Sequence, residues 1–254
     1  MSDAAFPDLP STIAHRGLSA HAPENTLAAV RAAHAAGCRW VELDVQLLGD
    51  GTPVIWHDSG LRRCSSGRGK LQRLSLEAAH RLDVGAWFSG DFVGERMATL
   101  DAMLALIDEL GMGLNLEIKL CRGRDAKALV DAAVPRAMAA LPGERLIVSS
   151  FSLAALDAMR RLESDPKRLR LGMLYDKAPR RWLDEAQRLD AYSLHVDWRR
   201  LTLNVACAIA ASPCKLLCYT VNDPAAFARL REWGMDSAIS DDPANLIGVP
   251  RLSY

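Results

Sequence analysis

Short apolar runs alternate with stretches of helical period along nearly the whole sequence, and that alternation leaves few folds open. The runs begin near residues 12, 40, 113, 145, 169, 192, 215 and 237, and they read as strands. Between them, apolar residues recur every three or four positions. This predicts helices over 27–36, 100–110, 125–141 (with a bend near Pro135), 153–162, 180–189, 205–211 and 225–233. Eight parallel strands in 254 residues, each but the last followed by helical sequence, fit a closed (β/α)₈ or TIM barrel of the α/β class. An open doubly wound sheet is the alternative, but no Gly-x-Gly-x-x-Gly turn follows the first strand. No linker, repeat or change of composition marks a second domain, so residues 1–254 read as one.

One stretch departs from the alternation. Trp40 to Leu47 is a strand, Gly49-Asp50-Gly51 a turn, and Pro53 to Trp56 a returning strand. Side chains alternate faces along a strand, so Glu42 and Asp44 project to the same side, and the turn brings His57 roughly opposite Asp44. Carboxylates flanked by apolar residues are costly unless compensated, and a divalent cation is a common compensation. Residues 58–98 then carry many glycines and one short helical pattern, at 76–82. They read as an irregular insertion after the second strand, expected to form the mouth of any site there. Its Trp87, Phe88 and Phe92 are expected to pack into a small core of its own.

Lys and Arg number 31, as do Asp and Glu, so the net charge gives no global reason for nucleic acid or an acidic membrane as partner. No run approaches the ~20 apolar residues of a membrane span. The N-terminus, MSDAAFPDLP, lacks the basic region and apolar core of a secretory signal. Six cysteines without a paired pattern read as free thiols in a reducing compartment. Together these features predict a cytoplasmic protein with no stable membrane association.

In a (β/α)₈ barrel, chemistry gathers at the C-terminal ends of the strands. Polar residues recur there: His15-Arg16, Glu42-x-Asp44 with His57, Glu117-x-Lys119, Tyr219-Thr-Val-Asn222 and Ser240-Asp241. Taken singly, a strand-end histidine is usually structural, and a Glu-x-Asp pair is often a solvated strand end. All of them falling on one rim argues for a site. Glu42, Asp44 and Glu117 offer three hard oxygen ligands, suited to Mg²⁺ or Ca²⁺. Arg16 and Lys119 suit a phosphate or a carboxylate. Two histidines can divide acid and base work near neutral pH. With a divalent ion present, the site carries one positive charge in excess, which a monoanion such as a phosphodiester matches.

These motifs resemble the glycerophosphodiester phosphodiesterase family. His15-Arg16-Gly17, Pro23-Glu24-Asn25-Thr26, Glu42-Leu-Asp44, His57-Asp58, Glu117-Ile-Lys119, Ser149-Ser150-Phe151 and Tyr219-Thr-Val-Asn222 occur in the family's order. Asp83 to Ser89 is similar to the family's insertion, and the absence of a signal peptide is similar to its bacterial cytoplasmic members. The resemblance implies a (β/α)₈ barrel that hydrolyses glycerophosphodiesters to sn-glycerol 3-phosphate and an alcohol, within glycerol and lipid metabolism. It implies one divalent metal ion, Mg²⁺ or Ca²⁺, on Glu42, Asp44 and Glu117. It also implies an acid–base pair in His15 and His57, phosphate contacts from Arg16 and Lys119, and Tyr219 as an aromatic beside the glycerol. The partner is a small-molecule substrate, and the protein is expected as a monomer or homodimer. Asn25 reads as a cap of the first helix. Leu120-Cys121 follows the Glu-Ile-Lys motif where proline is common. Two other readings are lysophospholipase D-like hydrolysis of lysophospholipids, with Trp87, Phe88 and Phe92 forming an apolar surface, and a non-catalytic phosphodiester-binding barrel.

Overall fold

The computed structural model describes residues 9–246 and Gly248. Residues 1–8, most of the segment read above as no secretory signal, lie outside them. Eight strands run parallel: β1 (Thr12–His15), β2 (Trp40–Leu47), β4 (Gly113–Ile118), β5 (Leu146–Ser150), β6 (Arg170–Tyr175), β7 (Ser193–Asp197), β8 (Lys215–Tyr219) and β9 (Ser237–Ser240). β1 pairs with both β2 and β9, which closes the sheet into the expected barrel. The ninth strand, β3 (Pro53–Ile55), runs antiparallel to β2. β1 has four residues and β2 has eight, so β1 leaves the second half of β2 without a neighbour. β3 fills that edge, pairing Val45 with Ile55 and Leu47 with Pro53. The hairpin read from sequence is thus what completes the backbone hydrogen bonding of β2.

Helices α1 (Leu27–Ala35), α3 (Leu100–Glu109), α4 (Ala126–Ala140), α5 (Leu153–Leu162), α6 (Trp182–Arg188), α7 (Leu203–Ala210) and α8 (Pro224–Glu232) connect the strands, and the short α2 (Leu76–His80) lies in the insertion. Side chains cap most of their N-termini: Thr26, Thr99, Asp125, Ser152, Thr202 and Asp223 each accept a backbone N–H of the first turn. α4 continues through Pro135. No helix among the described residues is long and apolar enough to cross a membrane.

The period of two along each strand sorts the barrel into an outside and an inside. Val41, Leu43, Val45, Leu114, Leu116 and Ile118 point outward and pack under the helices. Ile13, Trp40, Ile147, Leu217 and Ile239 fill one end of the interior. Trp40 lies across Gly113, where a Cβ would stand 2.2 Å from the indole, so only glycine fits. Other inward positions are polar: Glu42, Asn115, Glu117, Ser149 and His195 are all buried. The insertion builds a second cluster of its own from Leu61, Cys64, Leu71, Ala79, Val84 and Met97 against Leu48, Val54 and Trp56. Trp87, Phe88 and Phe92 stack edge to face on one another apart from that cluster, and Trp87 is 40% exposed.

His195 is fully buried, with its Nε2 2.9 Å from the Ser193 hydroxyl and its Nδ1 without a partner among the described residues. Burial pushes its imidazole down to about 3, so the folded protein holds it neutral where the unfolded chain binds a proton. Its contribution to stability is therefore complete above pH ~6.5 and is lost as the pH falls from there towards 3. Thermal melts of wild type and His195→Gln across this range should differ in slope, the wild type losing up to ~1.4 kcal/mol more per pH unit. Parallel slopes would show that His195 does not couple folding to protonation.

Candidate active site

A cavity of about 290 Å³ opens at the C-terminal ends of the strands. His15, Arg16, Glu42, His57, Glu117, Lys119 and Tyr219 all line it, and Asp44 lies directly behind them. All eight residues singled out from the sequence thus come together. The mouth departs from expectation: no residue of 58–98 lines the cavity. Leu174 and Asp197 at the ends of β6 and β7, and Phe151, Arg199 and Thr220 just after β5, β7 and β8, do so instead. The insertion's aliphatic cluster packs on Leu48, Val54 and Trp56, and Trp87, Phe88 and Phe92 stack on one another apart from it. The aromatic surface expected for a lysophospholipid chain is accordingly absent from the lining.

The three acids are held by their neighbours. Their nearest ligand oxygens lie within 4.8 Å of one another, and all three side chains are buried. Asp44 accepts a hydrogen bond from Asn25 Nδ2 at 2.9 Å, and its backbone N–H donates to Asn25 Oδ1 at 3.2 Å. Asn25 therefore grips Asp44 from both ends, in a left-handed conformation with φ of 60°. The expected helix cap falls to Thr26 instead, because the carboxamide of Asn25 is already committed to Asp44. Arg16 is also left-handed, at φ 55°, and its backbone N–H donates to Glu42 at 3.2 Å. Strained backbone of this kind tends to gather where function holds it in place.

Two cations face the acids. Lys119 Nζ lies 2.8 Å from Glu117 and 3.3 Å from Asp44. Arg16 Nε lies 3.3 Å from Asp44, while its Nη1 donates to Glu24 at 2.7 Å. Burial acts to raise the Asp44 carboxyl, but Lys119, Arg16 and His57 outweigh it and hold the group well below the usual range. Glu42 and Glu117 are pushed up, first by burial and then by the charge of Asp44. Two of the three acids thus retain electrostatic strain that the two cations do not relieve. A third cation would relieve it, and three buried carboxylate oxygens suit a hard divalent ion.

The histidines share one arrangement. His15 Nδ1 is 2.6 Å from Asp241, and His57 Nδ1 is 2.7 Å from Asp58. In each ring the carboxylate fixes the proton on Nδ1, the arrangement found in carboxylate-backed catalytic histidines, and His15 Nε2 faces Glu42 at 3.9 Å. His57 is further fixed through its backbone. Gln46 Nε2, deep in β2, lies 2.7–3.1 Å from the carbonyls of Trp56, His57 and Asp58. Cys121 donates to the other end of that carboxamide at 3.3 Å, which gives this cysteine a place after the Glu-Ile-Lys motif. Tyr219 donates its hydroxyl to the Tyr175 carbonyl at 3.0 Å, so it offers the cavity its ring, edge-on to Phe151.

Sequence reasoning assigned no role to Asp241, Gln46 or Arg63. Gln46 extends the Glu42-x-Asp44 alternation by one step, a signal that was present. The contact between His15 and Asp241 spans 226 residues and exists only because the barrel closes.

A sequence profile of the glycerophosphoryl diester phosphodiesterase family matches residues 15–245. A glycerophosphodiester phosphodiesterase of Caldanaerobacter subterraneus subsp. tengcongensis is 34% identical over 94% of this chain and 97% of its own. Among solved structures, a phosphodiesterase of Oleispira antarctica in complex with the product sn-glycerol-3-phosphate is 35% identical. It superposes with a TM-score of 0.90, covering 95% of this chain and 96% of that one. A glycerophosphodiester phosphodiesterase of Thermotoga maritima superposes at 0.72 with 25% identity, covering 95% and 98%.

A cation on the three acids competes with protons for Glu42 and Glu117, whose carboxyls are both raised. Calorimetric titration of metal-stripped protein with Ca²⁺ or Mg²⁺ should therefore give one site. Its affinity should fall on the order of tenfold or more between pH 8 and pH 5.5. Glu42→Gln should abolish it. Binding that is independent of pH, or that survives the substitution, would place the cation elsewhere.

Proposed function

The chain belongs to the glycerophosphoryl diester phosphodiesterase family, and from that premise we propose that it hydrolyses glycerophosphodiesters to sn-glycerol 3-phosphate and an alcohol. The observation that carries this reading is the pair of carboxylate-backed histidines, His15 and His57, lining one cavity with three buried acids and two cations. The sn-glycerol-3-phosphate bound to the Oleispira antarctica enzyme supports the substrate class. One barrel domain with the 58–98 insertion carries the whole reaction. The six cysteines, all free, support a cytoplasmic setting.

Glu42, Asp44 and Glu117 would hold one divalent ion, Mg²⁺ or Ca²⁺, which would supply positive charge beside the phosphate. Lys119, held at Glu117, and Arg16, held at Glu24, would meet the phosphate from two sides. Both side chains are already anchored, so little freedom is lost on binding. The Nε2 atoms of His15 and His57 give the site a base and an acid. One takes the proton from the attacking water, or from the neighbouring glycerol hydroxyl in a route through a cyclic phosphate that water then opens, and the other gives a proton to the departing alcohol. Asp241 and Asp58 stabilise each imidazolium as it forms, since a carboxylate already accepts from its Nδ1. The ring of Tyr219, beside Phe151, supplies an apolar wall for the glycerol carbons.

A coupled assay for sn-glycerol 3-phosphate release from glycerophosphocholine tests the reading. Metal-stripped protein should be inactive, and Mg²⁺ or Ca²⁺ should restore release. Glu42→Ala should abolish it. His15→Ala and His57→Ala should each lower turnover by roughly 10²–10⁴-fold with unchanged thermal melts. Release from lysophospholipids alone would reassign the substrate. Near wild-type turnover in either histidine variant would remove that residue from the mechanism.

A further inference from the structure

Arg63 belongs to the insertion and reaches no part of the cavity lining, yet its guanidinium joins two of the side chains behind that lining. Its Nε and Nη2 donate to Asp58 at 2.8 and 2.9 Å. Its Nη1 and Nη2 donate to Glu24 at 2.5 and 2.8 Å. Glu24 in turn accepts from Arg16 Nη1 at 2.7 Å, and Asp58 accepts from His57 Nδ1 at 2.7 Å. The result is a chain of alternating charge that runs from Arg16 through Glu24, Arg63 and Asp58 to His57.

Resting on the hydrolytic reading above, we propose that Arg63 is a positioning residue that fixes Arg16 and His57 relative to each other by gripping Glu24 and Asp58 with one guanidinium. The planar fork is what makes this possible. Five N–H donors in fixed geometry satisfy two carboxylates at once, which the point charge of a lysine cannot do. Without Arg63, Glu24 and Asp58 are like charges that share no counterion. Glu24 then competes harder for the Arg16 guanidinium that is needed on the phosphate. Asp58 is free to swing and take the His57 ring with it. Phosphate and histidine have to meet within a fraction of an ångström, and a misplacement of about 1 Å costs up to ~10²-fold in rate. The insertion therefore touches the chemistry through Asp58 and Arg63, although its apolar residues lie elsewhere.

The test uses full-length wild type, Arg63→Ala, Arg63→Lys, Asp58→Asn and the double variant Arg63→Ala/Asp58→Asn. Turnover of glycerophosphocholine, affinity for sn-glycerol 3-phosphate, thermal melts and ¹⁵N spectra of the histidine rings are measured. Arg63→Ala should lower kcat by about 10–100-fold and also weaken product binding, because both partners are displaced. Its His57 ring signals should move while those of buried His195 stay in place. Arg63→Lys should recover only part of the loss. In the Asp58→Asn background, Arg63→Ala should cost clearly less in kcat than it does in wild type. Full activity of Arg63→Lys, additive losses in the double variant, or unmoved His57 signals would overturn the proposal. Should Arg63→Ala fail to fold, the lysine variant decides by the same criteria. Should wild type show no turnover, the hydrolytic reading falls, and the ring signals still decide whether Arg63 fixes His57.

Discussion

Three carboxylates in a low-dielectric interior are the constraint to which the rest of this structure answers. Glu42, Asp44 and Glu117 are each less than a tenth exposed, and like charges at such range cannot all stay ionised without help. Asn25 spends its carboxamide on Asp44, Lys119 bridges two of the acids, and Arg16 reaches a third contact from a strained backbone. Each of these residues is explained by the acids before any substrate is considered. The same charges that make the site expensive to fold also make it selective. Three buried acids beside a lysine and an arginine suit a cation on the acids and an anion of low charge next to it.

The barrel was legible because it rests on local periodicity. Period two along β2 placed Glu42 and Asp44 on one inner face, and the turn at Asp50 returned His57 beside them; the register bears this out, with the Trp56 N–H donating to the Asp44 carbonyl. Adjacency in sequence made His57-Asp58 visible as a unit. Contacts made by closure were not visible. Asp241 reaches His15 because β9 and β1 are neighbours, and no local pattern encodes that partnership. Glu24 and Arg63 lie 39 residues apart, and they meet through the path of an irregular segment. Asn25 and Thr26 are both good capping residues, so sequence alone could not tell which one caps α1. The competing demand of Asp44 decides it.

The aromatic residues of the insertion show the limit from another direction. Trp87, Phe88 and Phe92 have a composition that suits either a buried core or a binding surface. Their actual arrangement, stacked on one another apart from the aliphatic cluster, depends on how far the chain between them turns. The mouth of the cavity, by contrast, is made by the ends of β6 and β7 and the residues just after β5, β7 and β8. These residues, such as Phe151 and Asp197, lie at strand ends and were positioned by the barrel itself.

β3 has a consequence beyond completing β2. Ile55 donates to the carbonyl of Ala98, and Val54 bridges to Thr99, so the chain enters and leaves the segment between them at neighbouring points. A loop whose ends are already pinned side by side adds closure entropy only with the logarithm of its length. The segment therefore behaves as a cassette. Beyond His57, Asp58 and Arg63, changes in its length leave the register of the barrel undisturbed so long as the ends stay clasped.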